Sequence, residues 1–351
     1  MKKRALEKGK LPGTKNAPCF IIAEAGVNHC GQFDLAKQLI EAAAASGADA
    51  VKFQTWVTEK LVLEDAALAT YQRRNQPQAK SQYQMLKELE LNQSDYRRLA
   101  AFAKRCGILF LSTPDEEDSA DFLEDLGVSI FKIGSGEITN LSFLAHIAKK
   151  NRPVILSTGM STLGEVETAV DAIEATGNPQ LTLLHCVSEY PADPSDCNLS
   201  AMRTLRAAFG YPVGFSDHTM GTSAAIAAVA LGACVIEKHL TLDRRMKGPD
   251  HKASLAPSEF AVFVRNLREA ESALGTGRKR PTAAEMETKK VVQKSIVTSR
   301  AIAAGKILGR HDLTLRRSSI GLPVSAMSLV VGRRTARPLP QLSPVGLADI
   351  A

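Results

Sequence analysis

The chain has 351 residues, 44% of them hydrophobic, and a formal net charge of +7. That length allows one large single-core domain and a small one, and the absence of any stretch near the roughly 20 apolar residues of a membrane span argues against a membrane partner. The charge is uneven: residues 1–10 hold five Lys or Arg and one Glu, residues 11–277 hold 25 against 32, and residues 278–351 hold 14 against four.

The basic start, Met1 to Lys10, has no apolar run after it, so it is not a secretory signal. Residues 1–15 read as a disordered basic tail. The six cysteines, Cys19, Cys30, Cys106, Cys186, Cys197 and Cys234, form no C-x-x-C pair, and a reduced cytoplasmic protein is the simplest account. A basic C-terminal piece is one signature of nucleic-acid binding. Aromatics are nearly absent there, so no nucleic-acid partner is expected. A small basic domain docking on an acidic one, or reaching over an anionic substrate, fits better.

Eight short apolar runs predict strands at Cys19–Glu24, Ala50–Gln54, Ile108–Ser112, Ser129–Ile133, Pro153–Ser157, Leu181–His185, Pro212–Ser216 and Val235–Lys238. They lack clean alternation, as strands buried on both faces do. Helical stretches lie between most of them, including Asp34–Ser46, Asp95–Arg105, Ser119–Leu126, Leu163–Ala175 and Thr222–Leu231. Gly47, Gly107, Gly127, Gly177 and Gly232 fall near helix ends, where a left-handed residue is needed. Eight βα units in order predict an α/β fold, a (β/α)8 TIM barrel over residues 16–276. About 53 residues separate the second and third strands. This segment reads either as a lid or substrate wall over the catalytic face or as an extra surface helix pair. Residues 277–290 read as a linker, starting from the composition of Gly275 to Pro281. Residues 291–351 read as a compact, largely β module with short runs at Ser295–Thr298, Leu313–Leu315 and Leu329–Val331.

In such a barrel the C-terminal strand ends build the active site. In order they offer Glu24 with Asn28-His29, Lys52 with Gln54, Ser112-Thr113, Lys132 with Ser135, Ser157-Thr158, His185 with Ser188, Ser216-Asp217-His218, and Glu237 with His239. Two lysines among hydroxyls suggest an anion cradle, most simply for a phosphate with a carboxylate nearby. His218 and His239 stand 21 residues apart, one per strand end. With carboxylates beside them they suggest a divalent metal and an acid–base group.

These endings sit in motifs that resemble the sialic acid synthase family. The matches are Ile22 to His29, Asp49 to Gln54, Leu111 to Pro114, Phe131 to Glu137, Ile155 to Met160, His185 to Pro191, Phe215 to His218, Ile236 to His239 and Gly248 to Ser254. The C-terminal module resembles the antifreeze-like (SAF, β-clip) domain of those enzymes. The resemblance implies condensation of phosphoenolpyruvate with an N-acetylated amino sugar to a nine-carbon 2-keto acid, with phosphate leaving by C–O cleavage. It implies a divalent ion on His218 and His239, Mn2+ first and Mg2+ or Co2+ as alternatives. Lys52, Thr113, Lys132, Ser135, Ser157, Ser188 and Ser216 would then surround phosphoenolpyruvate. Glu24 and Glu237 would handle the attacking water and its proton, and Gln54, Tyr190 and Asp250 would contact the sugar. The family's reach of an antifreeze-domain arginine over the partner's site implies a domain-swapped homodimer, with Arg317 in that role and Arg316 as a competitor.

Three positions depart from the family pattern. Asp115 stands where Phe usually follows Ser-Thr-Pro, Ser318-Ser319 follow Arg317 in place of a Pro-Gly type pair, and Cys30 replaces an Asn. The expected product is N-acetylneuraminate from N-acetylmannosamine. The alternative is legionaminate or pseudaminate from a diacetamido-trideoxy sugar, and Asp115 lies where the two could be told apart. A non-catalytic carbohydrate-binding protein predicts decayed strand ends, yet Glu24, Lys52, Lys132, His218 and His239 are all present. A metal-dependent aldolase on the same barrel would do with fewer of these motifs.

Overall fold

The computed structural model describes residues 17–351, so the tail expected at residues 1–15 lies outside the described residues. Two compact units divide the chain, one ending at Gly275 and one starting at Thr276. Among the described residues no helix is long and apolar enough to cross a membrane, and there is no disulfide.

The first unit is built on eight parallel strands: β1 (Phe20–Gly26), β2 (Ala50–Thr55), β3 (Leu109–Pro114), β4 (Phe131–Ile133), β5 (Val154–Ser157), β6 (Leu181–Cys186), β7 (Val213–Asp217) and β8 (Val235–His239). Strand β1 pairs with both β2 and β8, which joins the first strand to the last. The ring's one seam without a ladder among the described residues lies between β3 and β4, which run side by side. This is a nearly closed (β/α)8 barrel, with helices following the strands.

The apolar runs become strands because both faces are covered. Phe20, Ile22, Ala50, Leu111, Ile130, Ile155, Leu184 and Val235 fill the barrel interior. Their odd-step neighbours, such as Ile21, Ala23, Val51, Phe110, Ile133 and Leu183, pack outward against the helices. The helices end where the glycines predict. Gly47 has φ 84°, and its N–H reaches back to Ala43 and Ala44; Gly107 and Gly127 close their helices in the same left-handed way.

The long segment after β2 forms three short helices, Thr58–Leu61, Thr70–Asn75 and Gln82–Leu89, before the barrel helix Gln93–Cys106. Met85 and Leu89 pack with Val27, Trp56 and Leu68 into a small core of their own. Trp56 Nε1 donates to Thr58 Oγ1, whose hydroxyl donates to Glu90.

In the second unit β9 (Lys294–Thr298) and β10 (Leu313–Arg317) pair antiparallel, over a core that includes Ile296, Leu308, Leu313, Val330 and Val345. Two local expectations change. Leu329–Val331, expected as a β-like run, falls mostly in a helical turn, Met327–Val330, which sets Val330 into that core. The later part of the expected 277–290 linker is the start of a helix, Ala283–Val292. Thr282 and Glu285 nucleate it reciprocally: Thr282 Oγ1 accepts from Glu285 N, and Glu285 Oε2 accepts from Thr282 N.

Candidate active site

A strand alternates its side chains with a period of two. The residues that continue the inward parity of the barrel interior must therefore surface at its C-terminal mouth. From Phe20 and Ile22 the next is Glu24; from Ala50 come Lys52 and Gln54; from Leu111 comes Thr113. The same step leads from Ile130 to Lys132, from Ile155 to Ser157, from Leu184 to Cys186, and from Val235 to Glu237 and His239. On β7 the interior position is Gly214, where a Cβ would lie 2.6 Å from Leu184 and 2.8 Å from Val235; two steps on are Ser216 and His218.

These residues line one cavity of about 180 Å3, joined by Asp115, Ser135 and Tyr190. The register sets Glu24 opposite Lys52 and His239, and Ser216 opposite Cys186 and Glu237. Lys52 Nζ lies 2.7 Å from Glu24 Oε2 and donates to Thr113 Oγ1 at 3.0 Å. Lys132 Nζ donates to Ser157 Oγ at 2.7 Å and lies 3.7 Å from Glu237 Oε1. Gln54 Nε2 donates to Glu24 Oε1 at 3.0 Å, and Ser216 Oγ to Glu237 Oε1 at 3.3 Å.

The charges divide the two carboxylates. Burial, with Glu237 nearby, pushes the Glu24 carboxyl up even though Lys52 pulls it back. Burial would raise Glu237 too, but Lys132 and Lys52 outweigh it and hold that group low. Two acids pushed apart in this way can divide the holding and taking of a proton. Burial lowers Lys132. Burial would lower Lys52 as well, but Glu237 and Glu24 keep it above its ordinary value.

The imidazoles of His218 and His239 face each other with ring centres 5.4 Å apart, and Tyr190 packs against both. Burial lowers His218 to about 4; burial and the neighbouring His218 hold His239 well below its ordinary value. Both are therefore neutral near pH 7. His218 Nδ1 bonds Val187 O at 2.6 Å, which leaves its Nε2 the lone pair. His239 Nδ1 is buried without a hydrogen-bond partner, 3.9 Å from Asp250 Oδ2. Two neutral rings, one oriented by a carbonyl and one beside a carboxylate, suit a divalent cation. Among the described residues no group of three or more His, Cys, Asp or Glu side chains is arranged to hold a metal.

Ser188 lies slightly apart, in an adjoining cavity of about 540 Å3 that shares Ser135 and Tyr190 with the first. The two are tied together at Gly159, whose N–H donates to Ser135 Oγ at 3.0 Å. A Cβ there would lie 2.3 Å from Ser188 Oγ and 2.9 Å from Cys186 Sγ, so a larger residue would have to displace these side chains. Asp250 lines a third cavity beside His239. Arg317 lies on the exposed end of β10 in the second unit.

Other strand-end residues turn out to face away. His185 is one step off the inward parity, and its Nε2 bonds Cys197 O. Asn28 Nδ2 donates to Leu240 O and Ser254 Oγ, tying the β1 and β8 loops together. Asp217 pairs with the fully buried Lys238 at 2.8 Å, outside the barrel interior. Three residues of the mouth had no assigned role. Cys186 was readable from parity with Leu184. Asp115 was visible only as a motif departure; its carboxyl is pushed up to about 7 by burial, with Glu137 adding and Lys52 opposing. Tyr71 comes from the inserted helices and packs on Tyr190, with ring centres 4.9 Å apart; no period in the sequence links the two. Asn75 Nδ2 also donates to Pro249 O at 2.6 Å, so the inserted segment is a wall of the site.

The NeuB family model matches residues 39–279, and the SAF domain model matches residues 293–351. An N,N'-diacetyllegionaminic acid synthase of Legionella pneumophila is 47% identical over 330 residues, covering 93% of this chain and 93% of that protein. An enzyme with the same name from Campylobacter jejuni is 48% identical over 310 residues, 88% of this chain and 92% of that one. Among solved structures, the N-acetylneuraminic acid (sialic acid) synthetase of Leptospira borgpetersenii serovar Hardjo-bovis in complex with citrate has a TM-score of 0.69 and 36% identity. It covers 79% of this chain and 93% of its own. The chain belongs to the NeuB family, the sialic acid synthase family, and carries a SAF domain.

Proposed function

We propose that this NeuB-family protein condenses phosphoenolpyruvate with a 2,4-diacetamido-2,4,6-trideoxy sugar to give a legionaminate-type nine-carbon 2-keto acid and phosphate. One observation carries the reaction class: two buried lysines with their hydroxyls share a cavity with two buried carboxylates and a pair of neutral imidazoles. The acceptor follows the relatives. The two proteins at 47% and 48% identity bear the legionaminic name, whereas the sialic acid synthetase stands at 36%. This favours the diacetamido sugar over the N-acetylmannosamine expected first from the sequence.

In this reading Lys52 and Lys132, with Thr113, Ser135, Ser157, Ser188 and Ser216, hold the phosphate and carboxylate of phosphoenolpyruvate. The carbonyl carbon of the open-chain sugar is placed beside His218 and His239, with Gln54, Tyr190 and Asp250 along its chain. His218 and His239 would hold a divalent ion, Mn2+ by expectation, which when bound would supply Lewis-acid polarisation of the aldehyde oxygen. C3 of the enol forms a bond to the aldehyde carbon, whose oxygen takes a proton. Water adds to C2 and loses its proton to a carboxylate. The C2–O bond then breaks, phosphate departs with the bridging oxygen and takes the proton left on the C2 hydroxyl, and C2 becomes the keto carbon. Glu237, held low by the lysines, is the carboxylate placed to take the water's proton; Glu24, pushed up, is the one placed to give one. Arg317 from a second copy, in a domain-swapped homodimer, would reach the acetamido group next to the reacting carbon. A cytoplasmic location fits a phosphoenolpyruvate-using biosynthetic enzyme.

The test is phosphate release from phosphoenolpyruvate with Mn2+, beside 2,4-diacetamido-2,4,6-trideoxymannose and N-acetylmannosamine in parallel. Release with the first sugar at a higher kcat/KM supports the reading. Preference for N-acetylmannosamine would return the chain to sialic acid synthesis, and silence with both would refute the condensation.

A further inference from the structure

Behind His239 lies a cavity of about 180 Å3 with two unlike sides. Its floor is apolar, built from Val27 and from Met85, Leu86 and Leu89 of the inserted helix Gln82–Leu89. Met85 and Leu89 stand four residues apart on one helix face, held in the small core with Trp56 and Leu68. Its rim is polar. Gln54 already spends its Nε2 on Glu24, so its Oε1 is left to accept. Gln72 already spends its Oε1 on Ala69 N, and its Nε2 meets only Tyr71 Oη at 3.4 Å. The carboxyl of Asp250 completes the rim.

The cavity shares Gln54, Tyr190 and His239 with the reaction cavity. A chain whose aldehyde end sits at the histidine pair can therefore run its far end into it. What fits there must bring one donor, one acceptor and an apolar cap. An acetamido group does so: its N–H can go to Asp250 or Gln54, its carbonyl to Gln72, and its methyl onto the leucine and methionine floor. A hydroxyl at the same place would use the rim and leave the apolar floor against water.

We propose that this cavity is the subsite for an acetamido group on the far half of the acceptor sugar, and that helix Gln82–Leu89 determines acceptor specificity. The inference rests on the proposed condensation and goes further, in naming the group and the residues that read it.

The experiment uses the full-length protein with saturating phosphoenolpyruvate and Mn2+, and measures kcat/KM for the diacetamido-trideoxy sugar and for N-acetylmannosamine. Leu86, half-buried at the cavity edge, is replaced in Leu86→Asn, with Leu86→Ala as a milder second variant. Loss of one apolar face should lower kcat/KM for the diacetamido sugar roughly tenfold in Leu86→Asn. The value for N-acetylmannosamine should change by less than about twofold and the KM for phosphoenolpyruvate should hold. Leu86→Ala should move the ratio the same way by less. Wild-type turnover with an unchanged sugar ratio in the folded variants would overturn the subsite alone. A wild-type protein that turns over neither sugar would overturn the condensation, and the subsite's ligand with it.

Discussion

Two buried lysines should give opposite phenotypes when each is changed to Met, a residue of similar length without the charge. Lys132 is almost fully buried, donates to Ser157 Oγ and Ile133 O, and has its pKa lowered by burial with Lys52 adding. Burial lowers Lys238 in the same direction, so the two differ in their partners: Glu237, 3.7 Å from Lys132, keeps Lys52 as a second cation. Lys132→Met should therefore cost less Tm than Lys238→Met. It should also remove one charge-assisted contact to an anion, a loss of roughly 1.5–3 kcal/mol, or about 10- to 150-fold in KM for phosphoenolpyruvate. Lys238 is fully buried too, but it donates to the buried Asp217 carboxylate and to two backbone carbonyls outside the barrel interior. Lys238→Met leaves Asp217 charged and without its cation, at roughly 3–5 kcal/mol. For a domain of this size that is a fall of about 6–20 °C in Tm. Thermal unfolding and steady-state kinetics on both variants separate the cases. If Lys132→Met bound phosphoenolpyruvate normally, or if Lys238→Met melted like the wild type, the division of the strand ends into inward and outward faces would be wrong.

Asp115 sits in the reaction cavity with its carboxyl pushed up to about 7. Below that pH it is neutral, and above it a negative charge appears beside Lys52. KM for phosphoenolpyruvate should rise as pH climbs through about 7, and Asp115→Asn should flatten that rise in a pH–KM profile; an unchanged profile would remove Asp115 from the anion site. Cys30 Sγ lies 3.4 Å from His251 Nε2, and His251 Nδ1 meets Thr241 Oγ1 at 2.7 Å, which fastens the loop carrying Asp250. Cys30→Ala should raise the sugar's KM several-fold while Cys30→Ser, which keeps a donor, stays near wild type; equal behaviour of the two would deny the latch. Arg317→Ala should raise the KM of the sugar far more than that of phosphoenolpyruvate, and an equal rise in both would remove its proposed contact.

The barrel was legible because eight short apolar runs and the glycines after the helices are both local signals. The site was legible wherever the chemistry fell on the inward parity of a strand, as with Glu24, Lys52, Lys132, Glu237 and His239. The same list of strand ends also caught His185 and Asp217, because a strand's last residues show their type in sequence but not their face. That face is set by which neighbours fill the interior, here Leu184 and Val235. Tyr71 and the floor of Met85, Leu86 and Leu89 were hidden for another reason: they belong to an insertion whose packing is decided by contacts with Val27 and Trp56. In the second unit Leu329–Val331 looked β-like from its composition, yet burial of Val330 winds the segment into a helical turn. The acceptor's substituents were beyond the motifs, which concern the anion and the histidine pair and not the far end of the sugar.

The most direct test of the condensation is to follow the bridging oxygen of phosphoenolpyruvate, labelled with 18O at C2–O–P, during turnover of the diacetamido-trideoxy sugar. The account predicts that the label leaves in inorganic phosphate and that a nine-carbon keto acid with an unlabelled keto oxygen accumulates in equal amount. Label retained in the product, or phosphate released without a nine-carbon acid, would contradict it.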